Sequence, residues 1–241
     1  MTYCTGVMLD TGMVFASDSR TNAGVDNIAS FCKMTVFEKA GDRVIVLLSS
    51  GNLAGTQAVI SILKQRSAKP GSANLWNTES MFDAALLVSD AMREVDRRDS
   101  PHLAASKISF NASFILGGQI AGEAPRLFRI YAEGTFIEAS IETPYFQTGE
   151  TKYGKPIIDR VITRSTSLNN AAKCVLVSFD STMCSNLSVG MPIDLLCYQR
   201  DSLVVKMRRR FGEGDAYFVE LGKQWTEGTR LVFDQLSNLD W

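Results

Sequence analysis

The sequence predicts an α+β chain in which two β-sheets lie face to face and pairs of helices cover their outer sides. Two observations carry this. The predicted elements run strands, two helices, strands, two helices, then strands. No internal repeat, low-complexity tract or linker interrupts that order over 241 residues. Each face of a sheet has to be covered, and two sheets can cover each other; periodicity alone does not impose the arrangement. A chain of this length suits one domain, so residues 1–241 are read as a single unit. Its core is large enough to need no disulfide.

Tyr3 to Leu9 reads as the first strand, and Asp10-Thr11-Gly12 as the turn into a second at Met13 to Ala16. Polar groups take over at Ser17-Asp18-Ser19-Arg20, followed by a Gly- and Asn-containing stretch from Thr21 to Asn27. Phe31 to Glu38 and Arg43 to Leu48 are read as strands around a turn at Ala40-Gly41-Asp42. Leu53 to Arg66 has apolar residues close to helical spacing and is stopped by Lys69-Pro70-Gly71. Thr78 is placed as the cap of a second helix that ends in the charged run Arg93 to Asp99, before Ser100-Pro101. Ile108 to Leu116 returns to strand, with Gly117-Gly118 and Gly122 as turns. Arg126 to Ala132 and Thr135 to Ala139 form a hairpin around Glu133-Gly134. Thr143 to Thr151 is read as a loop, Pro156 to Thr163 as a helix with proline at its tolerant start, and Leu168 to about Asn186 as another. Strands are expected at Pro192 to Tyr198 and Leu203 to Met207, and partial helix from Ala216 to Leu236.

Composition excludes several function classes. Twenty-five basic and 26 acidic residues leave a formal charge of −1, so there is no electrostatic case for nucleic acid or an anionic membrane. Such balance does allow close self-association. The basic run Lys206 to Arg210 alternates faces on a strand and reads as a solvated strand end. Five cysteines with no C-x-x-C pair argue against a structural zinc site or a disulfide framework. No run of about 18 apolar residues is present, and Met-Thr-Tyr-Cys-Thr-Gly lacks the features of a signal peptide, so a cytoplasmic protein is expected. No nucleotide-binding loop is found, so any ATP dependence would come from a separate chain.

The residues that could carry chemistry begin at Thr2. Aminopeptidases commonly remove a methionine that precedes threonine, which would give Thr2 a free α-amine beside its own hydroxyl. That amine, with an ordinary pKa of about 7.7–8.0, can take the hydroxyl proton. An uncleaved Met1 would leave no basic amine. A hairpin of the first two strands returns Asp18 toward the N-terminus, and a neighbouring third strand would bring Lys33 there too. An ammonium beside the Thr2 oxygen favours the alkoxide and depresses the amine pKa, with Asp18 holding Lys33 charged. On these residues alone, a solvated carboxylate and a strand-edge lysine remain an open alternative. His102, the only histidine, follows Ser100-Pro101 in an evident loop, and Cys4 has no accompanying base.

Thr2, Asp18-Ser19-Arg20, Lys33 and the Ser49-Ser50-Gly51 turn before a helix resemble proteasome β-subunits. The stretches Ser17 to Asp26 and Phe146 to Pro156 are similar to the bacterial Anbu group, the proposed ancestral β-subunit. The resemblance implies a four-layer αββα sandwich of the N-terminal nucleophile (Ntn) hydrolase fold, and amide hydrolysis through an acyl-enzyme without metal or organic cofactor. It makes Thr2 the nucleophile, Asp18 and Lys33 its acidic and basic partners, and Gly51 N–H an oxyanion-hole donor. Arg20 would brace the Asp18 loop. Two departures stand out: Glu150 replaces the serine that follows threonine-glycine in proteasome β-subunits, and the aspartate–serine pair at the end of the fourth helix maps poorly, with Ser185 ranked first. The family also implies a homo-oligomer, a ring or helical stack; whether a separate ATP-dependent partner exists is left open by the sequence. The rival expectations are an amidase or transpeptidase acting on a small or branched amide, and a silent assembly scaffold that retains Met1.

Overall fold

The computed structural model describes residues 2–22 and 28–240; Met1, residues 23–27 and Trp241 lie outside them. Five strands, β1 (Tyr3–Leu9), β2 (Gly12–Asp18), β10 (Tyr145–Gly149), β11 (Ile193–Gln199) and β12 (Met207–Phe211), form one antiparallel sheet in the order β10-β1-β2-β11-β12. A second sheet runs β5 (Met34–Lys39), β6 (Arg43–Gly51), β7 (Ala112–Ile120), β8 (Arg126–Ile130), β9 (Phe136–Glu138). A small ribbon pairs β3 (Arg20–Asn22) with β4 (Ile28–Ser30).

Strand alternation sorts the side chains into three apolar layers. In β1 and β2, Tyr3, Val7, Leu9, Val14 and Ala16 pack against helices α3 (Lys155–Val161) and α4 (Leu168–Ser185). Cys4, Met8, Met13 and Phe15 point the other way, meeting Val44, Val46, Leu48 and Ile115 of the second sheet. The opposite residues of that sheet, among them Ile45, Leu47, Phe114 and Leu116, pack against α1 (Leu53–Ala68) and α2 (Met81–Ala105). The result is the αββα sandwich. It explains why β1 and β2 are buried at every position instead of alternating with solvent. Helix α5 (Ala216–Asp234) buries only Phe218.

Several elements depart from the sequence reading. Gly117 and Gly118 sit inside β7, not at a turn: a Cβ on Gly117 would meet Met13, Phe15 and Leu127 at 2.8 Å, so this glycine lets the two sheets close. Helix α2 continues through Pro101 to Ala105, because the carbonyl freed at Arg97 is on an exposed turn where water can satisfy it. Its cap is Ser80, whose hydroxyl accepts from Asp83 N–H, while Thr78 accepts from Arg43 through both its carbonyl and its hydroxyl. The last hairpin strand is Met207–Phe211; residues 203–206 belong to its turn. Tyr145–Gly149 is a strand, not a loop.

Candidate active site

Strand register assembles the site. In the β1–β2 hairpin Cys4 faces Ser17, which puts Asp18 opposite Tyr3; the Tyr3 N–H donates to Asp18 Oδ1 at 3.0 Å. Lys33 immediately precedes β5, and its backbone is pinned by a 3.0 Å bond from Ser49 N–H to its carbonyl. Its ammonium donates to Asp18 Oδ1 at 2.7 Å and to Arg20 O at 2.6 Å. The side chains of the pair are 5% and 0% exposed. Burial is the dominant influence on Asp18 and pushes its carboxyl above the usual range, opposed by Lys33 and by the Tyr3 and Gly190 N–H groups. Asp18 Oδ2 is buried without a hydrogen bond of good geometry among the described residues; Gly190 N–H approaches the carboxylate but does not close one.

Thr2 is held from the other side. Strand β10 pairs with β1, Gly149 opposite Tyr3, and Glu150 N–H donates to Thr2 O at 2.6 Å. Gly149 has φ +84, and a Cβ there would fall 1.9 Å from Thr2 O, so only glycine lets β10 approach the N-terminal residue this closely. Below, Tyr3 OH is bonded to Ser178 Oγ at 3.0 Å and accepts from Gln147 Nε2, which anchors the start of β1 to α4 and β10.

Thr2, Thr21, Lys33, Ser49, Ser50, Gly51 and Gly149 line one cavity of about 250 Å³. The β6 ladder sets the direction of Gly51. Ser49 N–H points toward β5 and bonds Lys33 O, whereas Asn52 N–H points toward β7 and bonds Asn111 O at 2.6 Å. Alternation therefore turns Gly51 N–H to the β5 side, where β5 has already ended. Gly51 has φ +99, and a Cβ would fall 1.8 Å from Asn111 O.

The site residues read from the sequence divide clearly. Thr2, Lys33 and Gly51 line the cavity, and Asp18 stands directly behind Lys33. Arg20 sends its guanidinium to Leu187 O at 3.1 Å and against Gly190, bracing the loop after α4, while its carbonyl receives Lys33. Glu150 is 7% exposed and accepts from Asn186 Nδ2 at 3.0 Å. Ser185 is exposed at the last position of α4 and does not line the cavity; the neighbouring Asn186 is the residue that turns inward. His102 also stays outside, exposed near the end of α2. Cys4, though close to Thr2 in sequence, has its thiol pushed well above the usual range by burial.

Three features were not anticipated from sequence. Ser50, Ser113 and Thr148 bond one another through their hydroxyls at 2.5–2.9 Å, joining β6, β7 and β10 beneath the cavity. Thr21 buries a hydroxyl that has no partner among the described residues. Asn186 is the third. Single hydroxyl and amide residues in loops and strands carry no signal that would have singled them out. Among the described residues no cluster of His, Cys, Asp and Glu is suited to a metal ion, and no helix is long and apolar enough to cross a membrane. A larger groove of about 590 Å³ beside α4, β12 and α5 is lined by Lys173, Met207 and Arg209 and brings no nucleophile to a base.

No family model matches the chain, and no curated protein does. Solved structures do. Anbu (ancestral beta-subunit) from Yersinia bercovieri is 49% identical with a TM-score of 0.93, each chain covered over 99%. Anbu from Hyphomicrobium sp. strain MC1 is 48% identical with a TM-score of 0.90, over 99% of this chain and 100% of that one. A helical assembly of the Anbu complex from Pseudomonas aeruginosa is 49% identical with a TM-score of 0.94, over 99% and 98%. With half its residues shared along its whole length, the same two-sheet architecture, and a threonine at position 2, this chain belongs to the Anbu family of proteasome-related β-subunits.

Proposed function

We propose that the chain is a threonine-type peptidase or amidase whose nucleophile is Thr2, exposed by removal of Met1. The observation that carries the reading is one cavity shared by Thr2 and a buried lysine ammonium that is itself neutralised by Asp18. Thr2 Oγ1 gives its proton to the Thr2 amine and attacks the scissile carbonyl. Lys33 favours the alkoxide and keeps the amine in its basic form. The tetrahedral oxyanion is met by Gly51 N–H, a type of contact worth about 2.7–4 kcal/mol of barrier. The ammonium returns its proton to the leaving amine, and an ester to Thr2 remains. Water, deprotonated by the same amine, hydrolyses that ester and restores Thr2.

The test is direct. Thr2→Ala abolishes turnover and labelling by a threonine-directed electrophile; labelling that persists at another residue contradicts the assignment. The modest cavity favours a narrower version in which the substrate is a small or branched amide. Turnover of small amides together with inactivity on unfolded proteins would select that version. The chain is proposed to act as a homo-oligomer, by analogy with the helical assembly of its Pseudomonas aeruginosa relative. The exposed apolar residues Leu231, Val232, Phe233 and Leu236, on α5 and just beyond it, support self-association. ATP-driven delivery of substrate would require a separate chain.

A further inference from the structure

The end of α5 and the residues after it carry apolar surface that a single chain leaves uncovered. Leu231, Val232, Phe233, Leu236 and Leu239 lie close together in sequence and are 61–73% exposed. Taking such a cluster out of water is favourable, and a contiguous apolar patch marks an interaction surface. The stretch is also acidic: between residues 231 and 240 the only charged side chains are Asp234 and Asp240.

The same chain carries a groove of matching character. Helix α4 lies over β1, β2 and β11, which leaves β12 at the end of its sheet. Helix α5 reaches this place only at its start, where Tyr217 lines the groove of about 590 Å³. The floor is apolar, built from Leu176, Leu195 and Phe211. The lining also includes Lys173, Lys206 and Arg208, all exposed and without an ion-pair partner among the described residues, and it includes no acid. Charged side chains on an outer strand guard it against pairing, but that role does not call for an apolar floor between them. An apolar floor with a cationic rim is complementary to an apolar segment that carries acids.

The segment does not reach the groove of its own chain. From Tyr217 to Asp234, α5 runs about 25 Å at about 1.5 Å per residue. Leu239, the farther of the two leucines beyond the helix, can come back at most about 17 Å from Asp234 along fully extended chain. We propose that residues 231–240 of one chain dock in the groove between α4 and β12 of a second copy, leucines on the apolar floor and Asp234 and Asp240 toward Lys173, Lys206 and Arg208. Segment and groove are different patches of one chain, so each copy offers one to each of two neighbours, and the contact propagates as an open series of subunits. The Pseudomonas aeruginosa relative is a helical assembly, the kind of arrangement such a contact generates. The inference rests on the self-association reading and is independent of Thr2.

Cross-linking between two marked copies tests this. Both are full-length chains in which the exposed Cys32 and Cys184 are changed to Ser. One carries Leu239→Cys and an affinity tag; the other carries Met207→Cys in the groove. They are coexpressed and mildly oxidised. The expected product is a disulfide between the two chains, mapped to positions 239 and 207. Absence of that bond overturns the proposal. So does a bond within one chain when both substitutions share it and unsubstituted chain is in excess. Light scattering gives a second readout: Leu236→Asp combined with Leu239→Asp raises the protein concentration at half-assembly by about tenfold or more, with the far-UV spectrum unchanged. Arg208→Glu raises it less, and added salt weakens the unsubstituted assembly. An unchanged concentration dependence in the double variant overturns the docked segment and leaves the homo-oligomer and the Thr2 nucleophile standing. A monomeric unsubstituted chain removes the self-association reading itself.

Discussion

Replacing Lys33 by Met tests the buried pair that the site is built on. The substitution keeps an apolar stem of similar length and deletes the ammonium that lies 2.7 Å from Asp18 Oδ1. At that distance, and at an effective dielectric constant of about 20, the attraction is about 6 kcal/mol. Part of this offsets the desolvation of both ions, so the expected net loss at pH 8 is about 3–5 kcal/mol, the usual result of stranding one buried charge. The sign with pH follows from Asp18. Burial already raises its carboxyl pKa, and without Lys33 only the Tyr3 and Gly190 N–H groups oppose that rise. A group whose folded pKa is raised favours the fold below its unfolded pKa and loses that contribution as pH rises through the folded value. Lys33→Met is therefore least harmful in acid, where Asp18 takes a proton, and most harmful above neutrality. Denaturant melts at pH 5 and pH 8, at one fixed protein concentration because assembly contributes, measure this directly. Adding Asp18→Asn removes the stranded charge and recovers most of the loss at pH 8. Equal destabilisation at both pH values, or no recovery in the double variant, would refute the reasoning.

Other expectations follow from single contacts. Gly51→Ala drives a methyl to within 1.8 Å of Asn111 O and displaces the proposed oxyanion donor, so kcat falls on the order of 10²–10³-fold; steady-state kinetics read this, and circular dichroism checks that the sheet survives. Gly149→Ala pushes β10 from Thr2 and abolishes electrophile labelling in a protein that remains folded by far-UV spectroscopy. Gly117→Ala overfills the space between Met13 and Phe15 and destabilises the sandwich by about 1–3 kcal/mol in a denaturant melt. Light scattering at micromolar concentration finds an assembly larger than one chain; a stable monomer removes the oligomer from the proposal.

The sandwich was legible where local pattern and tertiary role agree. β1, β2, β6 and α4 are apolar runs bounded by turn or cap residues, and their limits fall close to the expected ones. The reading failed where a distant partner decides the conformation. Thr143 to Thr151 reads as a loop in isolation, yet β10 exists because β1, more than 130 residues earlier, offers it a ladder. Gly117-Gly118 looks like a break, yet the opposing sheet demands a residue without a side chain. Pro101 looks like a stop, yet the carbonyl it frees at Arg97 is exposed to water. The site shows the same division. Thr2, Asp18, Lys33 and Gly51 were singled out by their resemblance to a known family; Thr2, Lys33 and Gly51 line one cavity, and Asp18 stands behind Lys33. Asn186 was displaced by Ser185 in the sequence reading because capping and site roles are written in the same small polar residues at a helix end.

The central claim is a liberated Thr2 that forms a covalent adduct beside Lys33. Intact-mass spectrometry of the native protein, before and after treatment with a threonine-directed electrophile and followed by peptide mapping, tests it most directly. The account predicts a chain lacking Met1 that gains a single adduct, mapped to Thr2 and lost in Thr2→Ala. A chain that keeps Met1, or an adduct mapped to any other residue, would contradict it.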